Sequence, residues 1–389
     1  MQYRIDNKSG NELSILGFGC MRFPLDARKT EKLILSAISG GVNYFDTAYI
    51  YANSETVLGE ILDKNKVREK IYVATKLPFQ KCKKYEDFDR LFNTQLERLK
   101  TGYIDYYLIH NMSDLMLWGS LCDIGLEKWL DGKKASGQIR RVGFSFHGAL
   151  NEFISLLEVY DWDFCQIQYN YMDENYQAGR AGLQKAHEKG LPVIVMEPLL
   201  GGKLANGLPA KAARLFNEAN GNRSAASWGL CWLWNQPEVT VVLSGMNSEK
   251  QLEDNIITAK TAEPGMLSET ENAVFRPVVD ITREAYKIPC TECNYCMPCP
   301  QGVNIPGCFA AYNTSYAIGF GAGLTQYVTG TGANNPKKHY NRRRCVKCGA
   351  CEEKCPQHIE IIQCLDTVTK RMEPFWFGPY SRFLTKIVG

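Results

Sequence analysis

The chain has 389 residues, 45% of them hydrophobic and 22% charged, with a formal net charge of +3. That length suits one large domain joined to a smaller one, and the hydrophobic share permits a sizeable core. Near-balanced charge gives no reason to expect nucleic acid as the main partner, and no stretch reads as a transmembrane helix.

The chain begins MQYRIDNKSG, without the basic start and apolar run of a signal peptide, so a reducing cytoplasm is the expected setting. The next residues, through Ile15, carry a turn centred on Lys8 to Asn11 and predict a hairpin plugging the N-terminal end of a barrel. Short β-rich runs then start at Leu16, Asn43, Ile71, Ile104, Arg141, Phe164, Pro192 and Val239. Amphipathic stretches separate them. In one, Asn53 to Lys64, Asn53 or Ser54 can cap while Val57, Leu58, Ile61 and Leu62 share an apolar face. Eight strands alternating with helices predict an α/β fold, a (β/α)8 TIM barrel. The barrel is expected over residues 1–264, with 265–389 forming a linker and a small, mainly helical, cysteine-rich domain.

Asp46, Lys76 and His110 each fall at the C-terminal end of a predicted strand, and Tyr51 follows Asp46 on the next loop. In such a barrel those ends meet at one mouth, where active sites lie. A tyrosine beside a lysine makes a general acid, because the ammonium stabilises phenolate and draws its pKa down from about 10. Asp46 would hold the lysine charged, and His110 would orient a carbonyl oxygen. Any one of these residues alone is often structural; four in order point to chemistry.

Through F-D-T-A-Y-I-Y-A-N-S-E, A-T-K, Y-Y-L-I-H and S-G-M-N-S-E-K-Q-L-E-D-N, residues 1 to about 262 resemble the aldo-keto reductases. The resemblance implies Asp46, Tyr51, Lys76 and His110 as a catalytic tetrad. It implies reversible hydride transfer between a nicotinamide and a small carbonyl or alcohol substrate, with Tyr51 protonating the oxygen. It puts Ser145 and Gln168 on the cofactor amide and Ser244, Gln251 and Asn255 in the remaining cofactor-binding stretch. Phe146, Met196 and Gly245 stand where the family often has an asparagine, a stacking tyrosine and a phosphate-gripping base, and Gln251 replaces another base. NADP(H) and NAD(H) both remain open, with Lys250 as a substitute cation. Read structurally, Ser244 to Asn255 is a polar helix start capped by Ser248.

Eight of the fifteen cysteines form two groups, Cys290, Cys293, Cys296, Cys299 and Cys345, Cys348, Cys351, Cys355, each closed by a proline. Four thiolates two or three residues apart can wrap an iron-sulfur cube, so two 4Fe-4S clusters are expected. Zinc favours two C-x2-C pairs across a longer loop, and disulfides suit an oxidising compartment. The second group matches the bacterial ferredoxin pattern and the first is one residue short before its last cysteine. That resemblance to two-cluster ferredoxins implies a crossover, Cys290, Cys293, Cys296 and Cys355 on one cluster and Cys345, Cys348, Cys351 and Cys299 on the other. The whole chain resembles aldo-keto reductases that carry a C-terminal ferredoxin-type domain.

C-P-Q-G-V-N-I-P-G-C from Cys299 and C-P-Q-H-I-E-I-I-Q-C from Cys355 repeat in register, placing Cys308 and Cys364 alike as packed thiols. His358, His147 and His187 read as surface or supporting residues, Cys20 as a packed thiol, and Trp118, Trp129, Trp228, Trp232 and Trp234 as core or loop anchors. From Cys293 through Pro336 there is no Asp, Glu, Lys or Arg, which predicts burial against the larger domain or a partner, with the barrel as the expected cover. The following Lys337, Lys338, Arg342, Arg343 and Arg344 suit either a solvated turn or the docking of an acidic electron carrier. Three functions stay open: a nicotinamide-dependent oxidoreductase with auxiliary clusters, an enzyme passing electrons to ferredoxin or another carrier, and a non-catalytic iron-sulfur scaffold. A flavin would reconcile two-electron and one-electron steps, but no motif specific to one is present.

Overall fold

The computed structural model describes residues 1–333 and 339–377. The chain divides into two compact units, Met1–Leu199 with Ala226–Asn272, and Leu200–Ala225 with Ala273–Gly389. The excursion 200–225, which follows a barrel strand in sequence, therefore groups with the cysteine-rich unit.

In the first unit, β1 (Tyr3–Ile5) and β2 (Glu12–Ser14) form the expected antiparallel hairpin. Gly10 takes a left-handed φ of 77° in its turn, a conformation glycine adopts without a Cβ clash. Asp6 accepts a hydrogen bond from Tyr106 Oη at 2.8 Å, and Leu13 packs with Tyr44, Tyr106, Phe164 and Val241, so the hairpin closes over side chains of the barrel interior.

The barrel strands are β3 (Leu16–Gly19), β4 (Tyr44–Asp46), β5 (Tyr72–Leu77), β6 (Ile104–Met112), β7 (Ile139–Phe146), β8 (Phe164–Gln168), β9 (Val193–Met196) and β10 (Val239–Ser244). All pair in parallel, and β10 closes the barrel against β3. Most strand residues are buried, as expected of a parallel sheet covered on both faces. The β6–β7 ladder shifts register between Ile109 and Met112, and Asn111 there has a φ of 57°. That irregularity lies beside His110, where bulges re-aim strand-end side chains.

Helix Ser54–Asn65 buries Leu58, Ile61 and Leu62 as its periodicity predicts. Neither expected cap operates. Asn53 makes no side-chain cap bond, and Ser54 Oγ donates to the Cys20 carbonyl at 2.8 Å. Gly59 permits close helix packing, since a Cβ there would lie 2.2 Å from the Arg98 carbonyl oxygen.

In the second unit, helices Ile305–Ala317, Phe320–Thr331 and Ile361–Met372 surround a core containing Ile305, Cys308, Phe309, Tyr327, Leu365 and Met372, and helix Phe275–Ala285 packs against Ile305–Ala317. The charge-free stretch finds cover within this unit: Ile305–Ala317 packs on both Phe320–Thr331 and Ile361–Met372. Among the described residues no helix is long and apolar enough to cross a membrane.

Candidate active site

Asp46, Lys76 and His110 sit at the C-terminal ends of the neighbouring strands β4, β5 and β6. Lys76 is 1% exposed, and its Nζ donates to Asp46 Oδ1 at 2.6 Å and to the Thr47 carbonyl at 2.8 Å. Gln166 Nε2 donates to the other Asp46 oxygen at 3.0 Å. A buried ion pair persists only when its remaining polar atoms are satisfied, and these bonds do so. The Lys76 ammonium lies 5.1 Å from the Tyr51 ring centroid, and the Tyr51 and His110 rings meet edge to face at 5.9 Å. The structure thus brings all four sequence-predicted residues together. Burial, then the charges of Lys76 and His147, hold His110 well below its ordinary value of 6.5. A neutral imidazole keeps one donor and one acceptor nitrogen.

Glu55 escaped the sequence reading. Its buried carboxylate accepts from Thr75 Oγ1 at 2.6 Å, Gln95 Nε2 at 2.7 Å and Arg98 Nη1 at 3.1 Å. Gln95 Nε2 also reaches the Lys76 carbonyl at 3.1 Å, and the Arg98 guanidinium stacks 4.3 Å from the Tyr49 ring. This network ties the strand bearing Lys76 to the loop leading to Tyr51. A glutamate one turn before Leu58 and Gly59, on the buried side of a helix, was the available signal.

Ser145 Oγ accepts from the Asn111 amide at 2.8 Å and retains its own hydroxyl proton for donation. Gln168 is engaged by neighbours, donating to Asp173 at 3.0 Å and accepting from Gln177 at 3.5 Å. His147 Nδ1 lies 3.1 Å from Gln177 Oε1, the supporting role expected of it. Asn255 Nδ2 donates to Ser244 Oγ at 2.7 Å in a buried pair that pins helix Glu249–Lys260 to β10. Gln251 accepts from the Asn247 amide at 2.9 Å, and Ser248 caps the helix.

Residues read as structural are so placed. Trp118 packs on Tyr160 and Trp162, Trp129 donates to Asp89, Trp234 donates to the Ile15 carbonyl, and Trp232 stacks against Tyr169. Trp228, Cys20 and Cys308 are buried, whereas His187 and His358 are exposed.

In the second unit, Cys290, Cys293, Cys296 and Cys355 line one hollow, whose remaining wall includes Ile305, Pro306, Phe309, Ile359 and Ile361. Four thiols around one hollow suit a group that takes one thiolate at each of its metals. Among the described residues, no three His, Cys, Asp or Glu side chains converge on a single-ion site. Burial pushes the Cys351 thiol above its ordinary value. Cys355 shares a hollow with three cysteines of the first group. Of the basic run, Arg342 pairs with Asp366 at 2.6 Å and Arg343 with Glu373 at 2.5 Å, so both are committed inside the unit. Lys337 and Lys338 lie outside the described residues.

A profile of the Aldo/keto reductase family matches residues 15–263, the greater part of the chain. The chain belongs to the aldo/keto reductase family. A 4Fe-4S dicluster domain matches residues 289–360. This aldo/keto reductase is 24% identical over 330 residues to the uncharacterized oxidoreductase YrpG of Bacillus subtilis, covering 74% of this chain and 99% of that protein. It is 26% identical to a 6-dehydroglucose reductase of Novosphingobium aromaticivorans, over 61% of this chain and 83% of the relative. A Mycolicibacterium smegmatis aldo-keto reductase is 34% identical over 111 residues, which span 28% of this chain and only 39% of that relative. Two solved structures share the fold. An aldo-keto reductase of Bacillus halodurans in its holo form superposes with a TM-score of 0.60 at 24% identity, over 72% of this chain and 96% of the other. One from Klebsiella pneumoniae in complex with NADPH gives 0.59 at 22% identity, over 72% and 95%.

Proposed function

We propose that the barrel interconverts a carbonyl and an alcohol with NADP(H) or NAD(H), and that the second unit carries two 4Fe-4S clusters. The observation that carries the first part is the buried Lys76–Asp46 pair beside Tyr51, with a neutral His110 across the same mouth. The nicotinamide, when bound, donates or accepts the hydride. Tyr51 gives its proton to the substrate oxygen in the reductive direction and recovers it in the oxidative one. Lys76 stabilises the phenolate left behind, and Asp46 keeps that lysine charged and aimed. Neutral His110 donates a hydrogen bond to the substrate oxygen without competing as an acid. Ser145 offers its hydroxyl to the cofactor amide.

Cys290, Cys293, Cys296 and Cys355 would hold one cluster, and Cys345, Cys348, Cys351 and Cys299 the other. The hollow shared by Cys290, Cys293, Cys296 and Cys355 supports the first set, and the second follows from the resemblance to two-cluster ferredoxins. A reducing compartment suits these thiolate ligands. One observation favours electron exchange with ferredoxin or a similar carrier as a second reading: Cys348 is exposed and nearby Val346 is 61% exposed, so a cluster held there would lie close to the surface. Anaerobic titration with NADPH or NADH tests the alternatives. Oxidation of the nicotinamide only when a carbonyl substrate is added, with cluster absorbance unchanged, is the expected result. Bleaching of the clusters by nicotinamide alone would instead establish the electron-transfer reading.

A further inference from the structure

Each cysteine group begins with a residue whose backbone carbonyl is bound by a cation, and each cation is paired with a carboxylate. At the first group, Lys203 Nζ donates to the Cys290 carbonyl and lies 3.5 Å from Glu292. At the second, Arg342 Nη1 donates to the Cys345 carbonyl at 3.1 Å while Nε binds Asp366 at 2.6 Å. The two cationic side chains are equally sheltered, each 15% exposed.

The cations come from unrelated parts of the sequence. Arg342 stands just before its cysteine group, whereas Lys203 lies in the excursion that follows β9. Lys203 is held there by further contacts: its ammonium is 5.6 Å from the Tyr286 ring centroid, and Tyr286 Oη donates to the Gly207 carbonyl at 2.7 Å. Long side chains lose much rotamer freedom when ordered this way, and neither residue serves the chemistry at the barrel mouth. The sequence repeat alone would not supply the first cation, so the match arises from the fold.

We propose that Lys203 and Arg342 are positioning residues that set the reduction potentials of the two clusters, one cation to each. The inference rests on the two-cluster reading above. A cluster taking one electron from a reductant gains one negative charge and no bond changes. A fixed cation beside a ligand's carbonyl, sheltered from water, favours that reduced form, and potentials follow net charge and surrounding hydrogen bonds. Glu292 and Asp366 partly offset the effect while orienting the cations.

The test is a dithionite titration of the full chain with redox mediators, followed by electron paramagnetic resonance, with iron and sulfide measured on each sample. Lys203→Met should lower the reduced-to-oxidised ratio of one cluster about tenfold at fixed ambient potential, a midpoint drop of about 59 mV for one electron, and leave the other unmoved. Arg342→Met should do the same to the other cluster. Lys203→Arg should restore the wild-type midpoint. Glu292→Gln and Asp366→Asn should shift the same two midpoints upward, which keeps the idea testable if a methionine variant loses its cluster. Midpoints unchanged in variants with full iron content, or both moving together on either change, would overturn it. A wild-type protein without two iron-sulfur signals would instead remove the two-cluster reading.

Discussion

At the barrel mouth, Asp46, Lys76 and His110 stand on strands whose ladders run through or beside them, and Lys76 is fixed by two hydrogen bonds within the fold. The cysteine groups lie instead on loops between helices. The chain wraps there through left-handed residues at Glu292, Asn294, Lys347 and Gly349, conformations that a packed ladder would not supply. A strand-end site takes its geometry from the hydrophobic core beneath it. A loop-borne cage takes much of its rigidity from what the thiols hold, as in small metal-dependent domains where metal binding contributes folding energy.

The sharpest break in that comparison should come from one oxygen at the mouth. Tyr51→Phe is expected to lower turnover roughly 10²–10⁴-fold, the range for loss of a general acid, with nicotinamide affinity nearly unchanged by fluorescence titration and iron content intact. Retained turnover would place the acid elsewhere. Stripping iron under anaerobic chelation should act on the other region: hydrogen exchange is expected to accelerate across residues 287–304 and 339–360 while β3 to β10 keep their protection. Equal loss of protection in the barrel strands would show that the two regions do not differ in this way.

A smaller effect should follow pH. His110 is neutral in the folded chain because its affinity for protons is depressed, so the unfolded chain binds more protons as pH falls below about 6.5. Its contribution to stability is therefore fully present above that value and declines as pH drops toward the depressed folded value. His110→Gln should flatten this decline in urea melts between neutral and acid pH. An unchanged slope would mean that His110 titrates as an ordinary histidine.

The sequence made the eight strands legible because each is a short run rich in β-formers bounded by polar or glycine-containing segments. The hairpin was equally plain, since Lys8 to Asn11 interrupts two short runs at the right spacing. Asp46, Tyr51, Lys76 and His110 could be read because strand order places strand ends at one mouth. Other features depended on contacts distant in sequence. Glu55 meets Thr75, Gln95 and Arg98 only after helices and strands pack. No local pattern told that residues 200–225 would group with the cysteine-rich unit, because what binds them there is tertiary: Phe216 against Phe275 at 5.5 Å, and Tyr286 on Gly207. The charge-free stretch is buried only in part, mainly along Ile305–Ala317, and there it is covered by neighbouring helices of its own unit, which composition cannot specify. The caps at Asn53 and Ser54 failed because Ser54 Oγ found a nearer tertiary partner in the Cys20 carbonyl.

The most direct measurement is the fate of deuterium carried at C4 of the reduced nicotinamide, with a carbonyl substrate, in ordinary water and without oxygen. Direct transfer at the mouth beside Tyr51 and Lys76 should leave one deuterium on the former carbonyl carbon of the alcohol, delivered from a single face of the nicotinamide. Alcohol whose new hydrogen comes from solvent would contradict direct transfer, and would point to electrons leaving through a flavin or the clusters before reaching the substrate.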